Sequence, residues 1–273
     1  MDTNIKIGIV SLGLIGGSIF KALKSHNVDL VCVSSNEQTI KTIKEQGFFA
    51  SEKLDSLKDC DVIFVCSPMR NVLEMLDKIE NIVSENTIVT DVCSLKEFVC
   101  QKERPYIFIP SHPMAGKETS GFYVSSEDLF KDAKWVLTPF EKTPKDAINT
   151  LKEIILLTGA KIVETTAQEH DKAVALISHM PLVLSQALVE AVKDNNLAKT
   201  LASSGFRDMT RLSLSNTIMA QDMVEMNGKN IKESLSSVFD ESKELLDSYT
   251  KEKIEKVKNI RNEIYSKEGK NIF

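Results

Sequence analysis

Up to about residue 165 this chain alternates short apolar runs with amphipathic stretches, and that alternation restricts its fold more than any other feature. The strand candidates are residues 5–10, 30–33, 61–66, 87–92, 106–110, 134–139 and 160–164. They are apolar on both alternations, as strands covered by helices on both faces must be. Stretches with helical spacing, 15–25, 36–46 and 69–83, separate the first four. Strand–helix–strand repetition predicts an α/β domain with a doubly wound, mostly parallel sheet of the Rossmann-like kind. After about residue 166 the strand signal stops. Residues 167–195 carry helical spacing through Val174, Ile177, Leu184, Leu188 and Val192, with a kink expected at Pro181. Residues 231–265 continue it through Ile231, Leu235, Val238, Leu245, Ile254, Val257, Ile260 and Ile264. The expected organisation is an α/β domain over 1–165 and an all-α domain over 166–273.

Composition narrows the function classes. A net charge of −5 offers no basic face for nucleic acid. The apolar stretch nearest to a membrane span, 172–193, holds Ser178, His179, Pro181, Gln186 and Glu190, each costly in lipid, so a core helix is expected there. The opening MDTNIKIGIV runs straight into a strand candidate without a basic, cleavable leader, so a cytoplasmic protein is expected. The five cysteines form no CxxC pair and no metal-like cluster with histidine, and they read as small core residues in a reducing compartment. No metal site is expected.

The first strand runs into Ser11-Leu12-Gly13-Leu14-Ile15-Gly16-Gly17-Ser18. A dinucleotide-binding turn wants G-x-G-x-x-G between strand and helix. Gly13 takes the second place, where backbone must approach a pyrophosphate, and Gly16 the third, where helix packs tightly on strand. Ser11 stands where the first glycine belongs. The turn ends a strand and opens a helix, so the pyrophosphate would meet free amides and the positive end of the helix dipole. At the end of the second strand, where an acid would accept bonds from the adenosine ribose, the chain has Ser34, then Ser35 and Asn36. No carboxylate repels a 2′-phosphate there and no arginine holds one, so NAD and NADP both remain open.

Two further segments follow strands, at the carboxyl ends where open α/β sheets bind ligands. One is Thr90-Asp91-Val92-Cys93-Ser94-Leu95-Lys96-Glu97; the other runs from Pro110 through Ser111-His112-Pro113-Met114-Ala115-Gly116 to Gly121. Histidine's ordinary pKa range suits a group that takes a hydroxyl proton near neutrality, which makes His112 a candidate base. Ser94 could orient it or bind the hydroxyl, or it could cap a helix beginning at Leu95. In the helical half, Arg207 and Arg211 follow a run of small residues, and an arginine fork suits a carboxylate.

These segments together resemble the prephenate dehydrogenases of tyrosine biosynthesis, a family that also includes arogenate dehydrogenases. The resemblance covers about residues 5 to 230. It rests on Leu12–Ser18, Thr90–Glu97, Ser111–Glu118, Phe130 with Trp135–Pro139, Glu169-His170-Asp171, Ser178–Pro181 and Gly205–Arg211. It implies oxidative decarboxylation of prephenate to 4-hydroxyphenylpyruvate, with hydride passing from C4 to NAD or NADP. It implies His112 as acceptor of the hydroxyl proton and Ser94 as its companion. Arg211, His179, Gly116 and Lys96 would bind substrate, and Gly13, Leu14, Ile15, Gly16, Ser34, Ser35, Ser67 and Pro68 would contact the cofactor. Leu182 and Ala220 stand where many members have a histidine and a tryptophan, which leaves arogenate as the alternative substrate. A non-catalytic dinucleotide sensor is the reading from another class, and the intact Ser94, His112 and Arg211 set speaks against it. The chain ends soon after the helical half, so no regulatory domain is expected. The long apolar stripes of that half, and the pairing typical of the family, point to a homodimer through residues 166–273.

Overall fold

The structure, a computed structural model, describes residues 5–117 and 119–266. Glu118, part of the histidine segment, lies outside the described residues, as do the last seven residues of the expected dimerisation half. The first elements alternate as the sequence requires: β1 (Lys6–Val10), α1 (Leu14–Leu23), β2 (Asp29–Val33), α2 (Glu37–Glu45) and β3 (Phe49–Ser51). They continue with β4 (Val62–Val65), α3 (Met69–Ile79), β5 (Ile88–Asp91) and β6 (Ile107–Phe108). These strands form one parallel sheet in the order β3-β2-β1-β4-β5-β6. Chain order reverses beside β1, so the carboxyl ends of β1 and β4 flank the crevice where such sheets bind ligands. Ile7, Ile9, Val62 and Phe64 are fully buried, and they pack with Ile19, Phe20 and Leu23 of α1 into the main core.

A second sheet departs from the single sheet expected. It joins β7 (Ser111–Pro113), β8 (Lys134–Leu137) and β9 (Lys161–Glu164) in the order β7-β8-β9, with α4 (Lys145–Leu157) between the last two. β7 runs antiparallel to β8, pairing His112 with Val136, whereas β8 and β9 are parallel. His112 therefore sits on a strand and not in a loop after the fifth strand candidate. Strands β3 and β7 escape sequence reading because three residues are too few to show a period.

Helices follow: α5 (Ala167–Val174), α6 (Met180–Ala191), α7 (Asn196–Leu201), α8 (Ser204–Thr210), α9 (Thr217–Asp247) and α10 (Lys251–Tyr265). The kink expected at Pro181 takes the form of a π turn over Ala175–His179, immediately before α6. Proline lacks an N–H and its ring crowds the carbonyl four residues back, which is Ile177, so the irregularity falls on the preceding turn. By length and composition Ala167–Ala191 could cross a membrane, yet its His170 and Asp171 are buried in polar contacts described below. The helical pattern expected without a break over 231–265 is interrupted after Asp247, and Thr250 restarts it by accepting the Lys253 amide on its side chain.

The strand signal ends at 164, but compactness divides the chain differently. One unit is Met1–Val174 with Leu214–Asn227; the other is Ala175–Ser213 with Gly228–Phe273. The 214–227 segment belongs to the first unit through side chains: Arg70 of α3 pairs with Asp222, and the Asn227 amide donates to the Asp171 carbonyl at 2.9 Å. A kink in α9 at Asn227 marks the change of unit. The second unit has its own small core, in which Ala175, Met180 and Ile231 pack with Val183, Leu184, Leu235 and Val238.

Candidate active site

The phosphate-binding turn has the backbone that its sequence demands. Ser11 adopts φ +68°, the left-handed region, which explains why glycine is the usual choice there. Its amide donates to the Val33 carbonyl at 2.9 Å, its carbonyl accepts the Gly13 amide at 3.0 Å, and its hydroxyl meets that of Ser67 at 2.9 Å. The tips of β1, β2 and β4 are thus joined around one serine. A Cβ on Gly16 would stand 2.5 Å from the Ser11 carbonyl oxygen and 3.2 Å from Cys66 Cβ, so only glycine lets α1 approach the strand. A Cβ on Gly13 would meet nothing in the chain within 4 Å. The protein's own packing does not need glycine at 13, and no side chain caps the first turn of α1. That open cradle fits a pyrophosphate. Leu14 and Ile15 are half-buried beside it, and Pro68, exposed, caps α3. Ser34 directly follows β2; it is buried and its hydroxyl accepts the Asn36 amide, while Ser35 is exposed.

His112 is anchored through its neighbour. The Ser111 hydroxyl donates to the Asp91 carbonyl at 2.7 Å and accepts from Trp135 Nε1 at 3.0 Å and Thr90 Oγ1 at 2.9 Å. Its amide donates to the Asp91 carboxylate at 3.2 Å. The ring of His112, half-buried, meets His170 of α5: Nδ1 lies 2.9 Å from His170 Nε2. His170 Nδ1 in turn lies 2.7 Å from Asp171 Oδ1. The two oxygens of Asp171 also accept the amides of Lys96 at 2.8 Å and Glu97 at 2.9 Å.

Those two bonds decide the segment after β5. No helix follows Ser94, so the capping alternative for it has nothing to cap: the amides that would begin the helix point at Asp171. Ser94 is half-buried, with its hydroxyl 3.6 Å from Met69 Sδ. Lys96 is fully enclosed, and its ammonium binds the Asp91 carboxylate and the Ser111 carbonyl. Breaking a buried pair of this kind costs about 3–5 kcal/mol. A substrate contact was expected of Lys96; the structure commits it to holding Asp91 and Ser111, and through them the strand that bears His112. Gly116 lies on the exposed turn beyond β7, where a Cβ would touch nothing.

Arg211 and His179 belong to the second unit. Arg211 is exposed and opens a 3-10 turn, Arg211–Leu214, directly after α8. The Ser213 amide in that turn is held by Ser185 Oγ of α6 at 2.9 Å. His179 is buried and closes the π turn before α6. Leu182 is buried in the second unit and Ala220 in the first. All five thiols are unpaired. Burial pushes Cys32, Cys60 and Cys100 up to about 12, so none of the three is a thiolate near neutrality. Among the described residues no cluster of His, Cys, Asp and Glu could hold a metal ion.

Comparison with known proteins decides the family. Residues 19–164 match the nucleotide-binding domain of prephenate dehydrogenase, and residues 166–263 match its dimerization domain. This chain belongs to the prephenate dehydrogenase family. Among its relatives, a prephenate dehydrogenase of Bacillus subtilis is 30% identical over 97% of this chain and 71% of that protein. The structure of Synechocystis arogenate dehydrogenase is 32% identical with a TM-score of 0.81, covering 95% of this chain and 97% of that one. A prephenate dehydrogenase structure from A. aeolicus, in complex with hydroxyphenyl propionate and NAD+, is 27% identical with a TM-score of 0.82, covering 96% and 99%. The family is one of NAD-dependent oxidoreductases. The site residue that sequence reasoning left without a role is His170, although Glu169-His170-Asp171 already carried part of the resemblance.

Proposed function

We propose that this protein is an NAD(P)-dependent prephenate dehydrogenase of tyrosine biosynthesis, working in the cytoplasm, where its five free thiols belong. The observation that carries the reading is the open glycine turn in the same α/β unit as a strand-borne, polar-anchored histidine. When bound, the nicotinamide accepts the hydride that leaves C4 of the substrate ring as carbon dioxide leaves C1. The chain's task is alignment and proton removal, because aromatisation of the ring drives the step. His112 takes the C4 hydroxyl proton, Ser94 holds that hydroxyl, and Arg211 grips a substrate carboxylate with His179 bordering the pocket. Gly13, Leu14, Ile15, Gly16, Ser34, Ser35, Ser67 and Pro68 hold the dinucleotide. The Synechocystis structure favours one second reading, arogenate as substrate.

A single assay separates these readings and the cofactor choice. NADH and NADPH formation are followed with prephenate and arogenate side by side, for the parent and for Ser34→Asp. Prephenate turnover is expected, and turnover of arogenate alone would select the second reading. In Ser34→Asp the new carboxylate sits where the adenosine ribose lies; it suppresses NADP use by repelling the 2′-phosphate and leaves or improves NAD use. An equal response of both cofactors would show that Ser34 does not face the ribose.

The working assembly is a homodimer through the helical half. None of α10 is buried, and Leu246, Tyr249, Val257 and Ile264 are exposed on α9, α10 and the turn between them. Apolar area of this kind, in a segment matching a dimerization domain, is covered most economically by its own copy. Light scattering at micromolar concentration is expected to return twice the 30.5 kDa of one chain. A mass of one chain would exclude the dimer.

A further inference from the structure

The row His112–His170–Asp171 has a direction, which the donors and acceptors at its far end determine. Asp171 accepts the amides of Lys96 and Glu97, one on each oxygen. Its third bond, 2.7 Å from Oδ1 to His170 Nδ1, joins a carboxylate, which has no proton to give, to an imidazole. In the neutral imidazole the proton therefore rides on His170 Nδ1, and Nε2 of that ring is left with a lone pair. That lone pair lies 2.9 Å from His112 Nδ1, and it can only accept. His112 must then carry its own proton on Nδ1, which leaves Nε2 unprotonated. We propose that His170 and Asp171 are positioning residues that set the tautomer of His112 and make its Nε2 the base that receives the substrate's proton.

The arrangement does more than choose a nitrogen. His112 is only half-buried, but His170 and Asp171 are each 3% exposed, so water does not compete for the bonds that orient it. The ring planes stand 77° apart, and the 2.9 Å separation of His112 Nδ1 from His170 Nε2 shows that the two ring edges meet. When the C4 hydroxyl gives its proton to Nε2, the proton stays there. His112 becomes an imidazolium whose Nδ1–H still points at the His170 lone pair, and neither His170 nor Asp171 changes its protonation. The amides that donate to Asp171 come from the segment bearing Ser94, so one carboxylate positions both the histidine and the segment that carries the serine.

This inference rests on His112 being the proton acceptor, and its test separates the two claims. Nitrogen-15 spectra of the parent protein, recorded above the ordinary histidine range so that imidazoles are neutral, report the tautomer directly. The His112 signal is assigned among the four histidines by its loss in His112→Asn. Protonated Nδ1 with bare Nε2 is expected; protonated Nε2 would overturn the proposal whatever the activity. In His170→Leu, which cannot accept, kcat for prephenate is expected to fall roughly 10²-fold or more, as in other enzymes whose base is left in the wrong tautomer. KM should stay within about 3-fold, because no substrate contact is removed. His170→Gln keeps an acceptor near the Nε2 position and is expected to recover most of kcat. Unchanged kcat in His170→Leu would overturn the proposal, as would equal losses in both variants with the His112 tautomer unaltered. Should His170→Leu not fold, the parent spectrum alone decides. A parent with the expected tautomer but no prephenate turnover would sink the functional reading and leave the tautomer assignment standing.

Discussion

His112→Asn is expected to lower kcat for prephenate by roughly 10²–10⁴-fold, the usual contribution of a positioned general base. Asparagine at 112 leaves β7 paired with β8 through its backbone and leaves Ser111 bound to Asp91, so the fold around the position is kept. What is lost is a lone pair able to take the C4 hydroxyl proton as hydride departs. Ground-state binding does not use that lone pair, so KM should move far less than kcat, and the loss should appear equally in kcat and kcat/KM. Steady-state rates with prephenate, together with a thermal melt to show that the variant folds, provide the check. Full turnover by folded His112→Asn would remove His112 from the chemistry.

Arg211→Ala is expected to cost about 2–4 kcal/mol in kcat/KM, mostly through KM, because a substrate carboxylate loses two parallel charge-assisted bonds. At 1.36 kcal/mol per tenfold this corresponds to roughly 30- to 1,000-fold. The opposite distribution of the loss from that of His112→Asn is the informative part: one variant fails to transform what it binds, the other fails to bind it. Arg211 is exposed at the head of a 3-10 turn, so its truncation opens no cavity and stability should change little. The Ser213 amide, bonded to Ser185 Oγ, holds the turn. An unchanged KM would show that Arg211 serves solvent and not substrate.

Much of this protein is local enough to read along the chain. The burial of β1, β2, β4 and β5 on both faces appears as unbroken apolar runs, and the glycines at 13 and 16 appear at the one spacing that a strand–turn–helix phosphate cradle allows. His112 and Ser94 stand out as candidates because they follow apolar strand candidates along the chain, although His112 proves to lie on a short strand of its own. What could not be read is what depends on distant partners. Lys96 reads, by resemblance, as a substrate-binding cation until Asp91 and the Ser111 carbonyl enclose it. Ser94 looks like a helix cap until Asp171, 77 positions on, claims the amides that would start the helix.

The same division explains the His112–His170–Asp171 row. The sequence by itself determined the α/β half, the position of the glycine turn and the helical half, and it singled out His112 as a candidate base, since each follows from residue type and periodicity within a few turns of chain. Only the tertiary structure decided that His112 faces His170, a residue 58 positions later on a helix, and that Asp171 stands behind it. Only it placed residues 214–227 with the α/β unit, through Arg70–Asp222 and Asn227–Asp171. A periodicity records which face of an element is buried, because burial repeats along the chain. It does not record which polar group a buried histidine will meet, because that pairing is made once, between segments whose separation in sequence has no bearing on their separation in space.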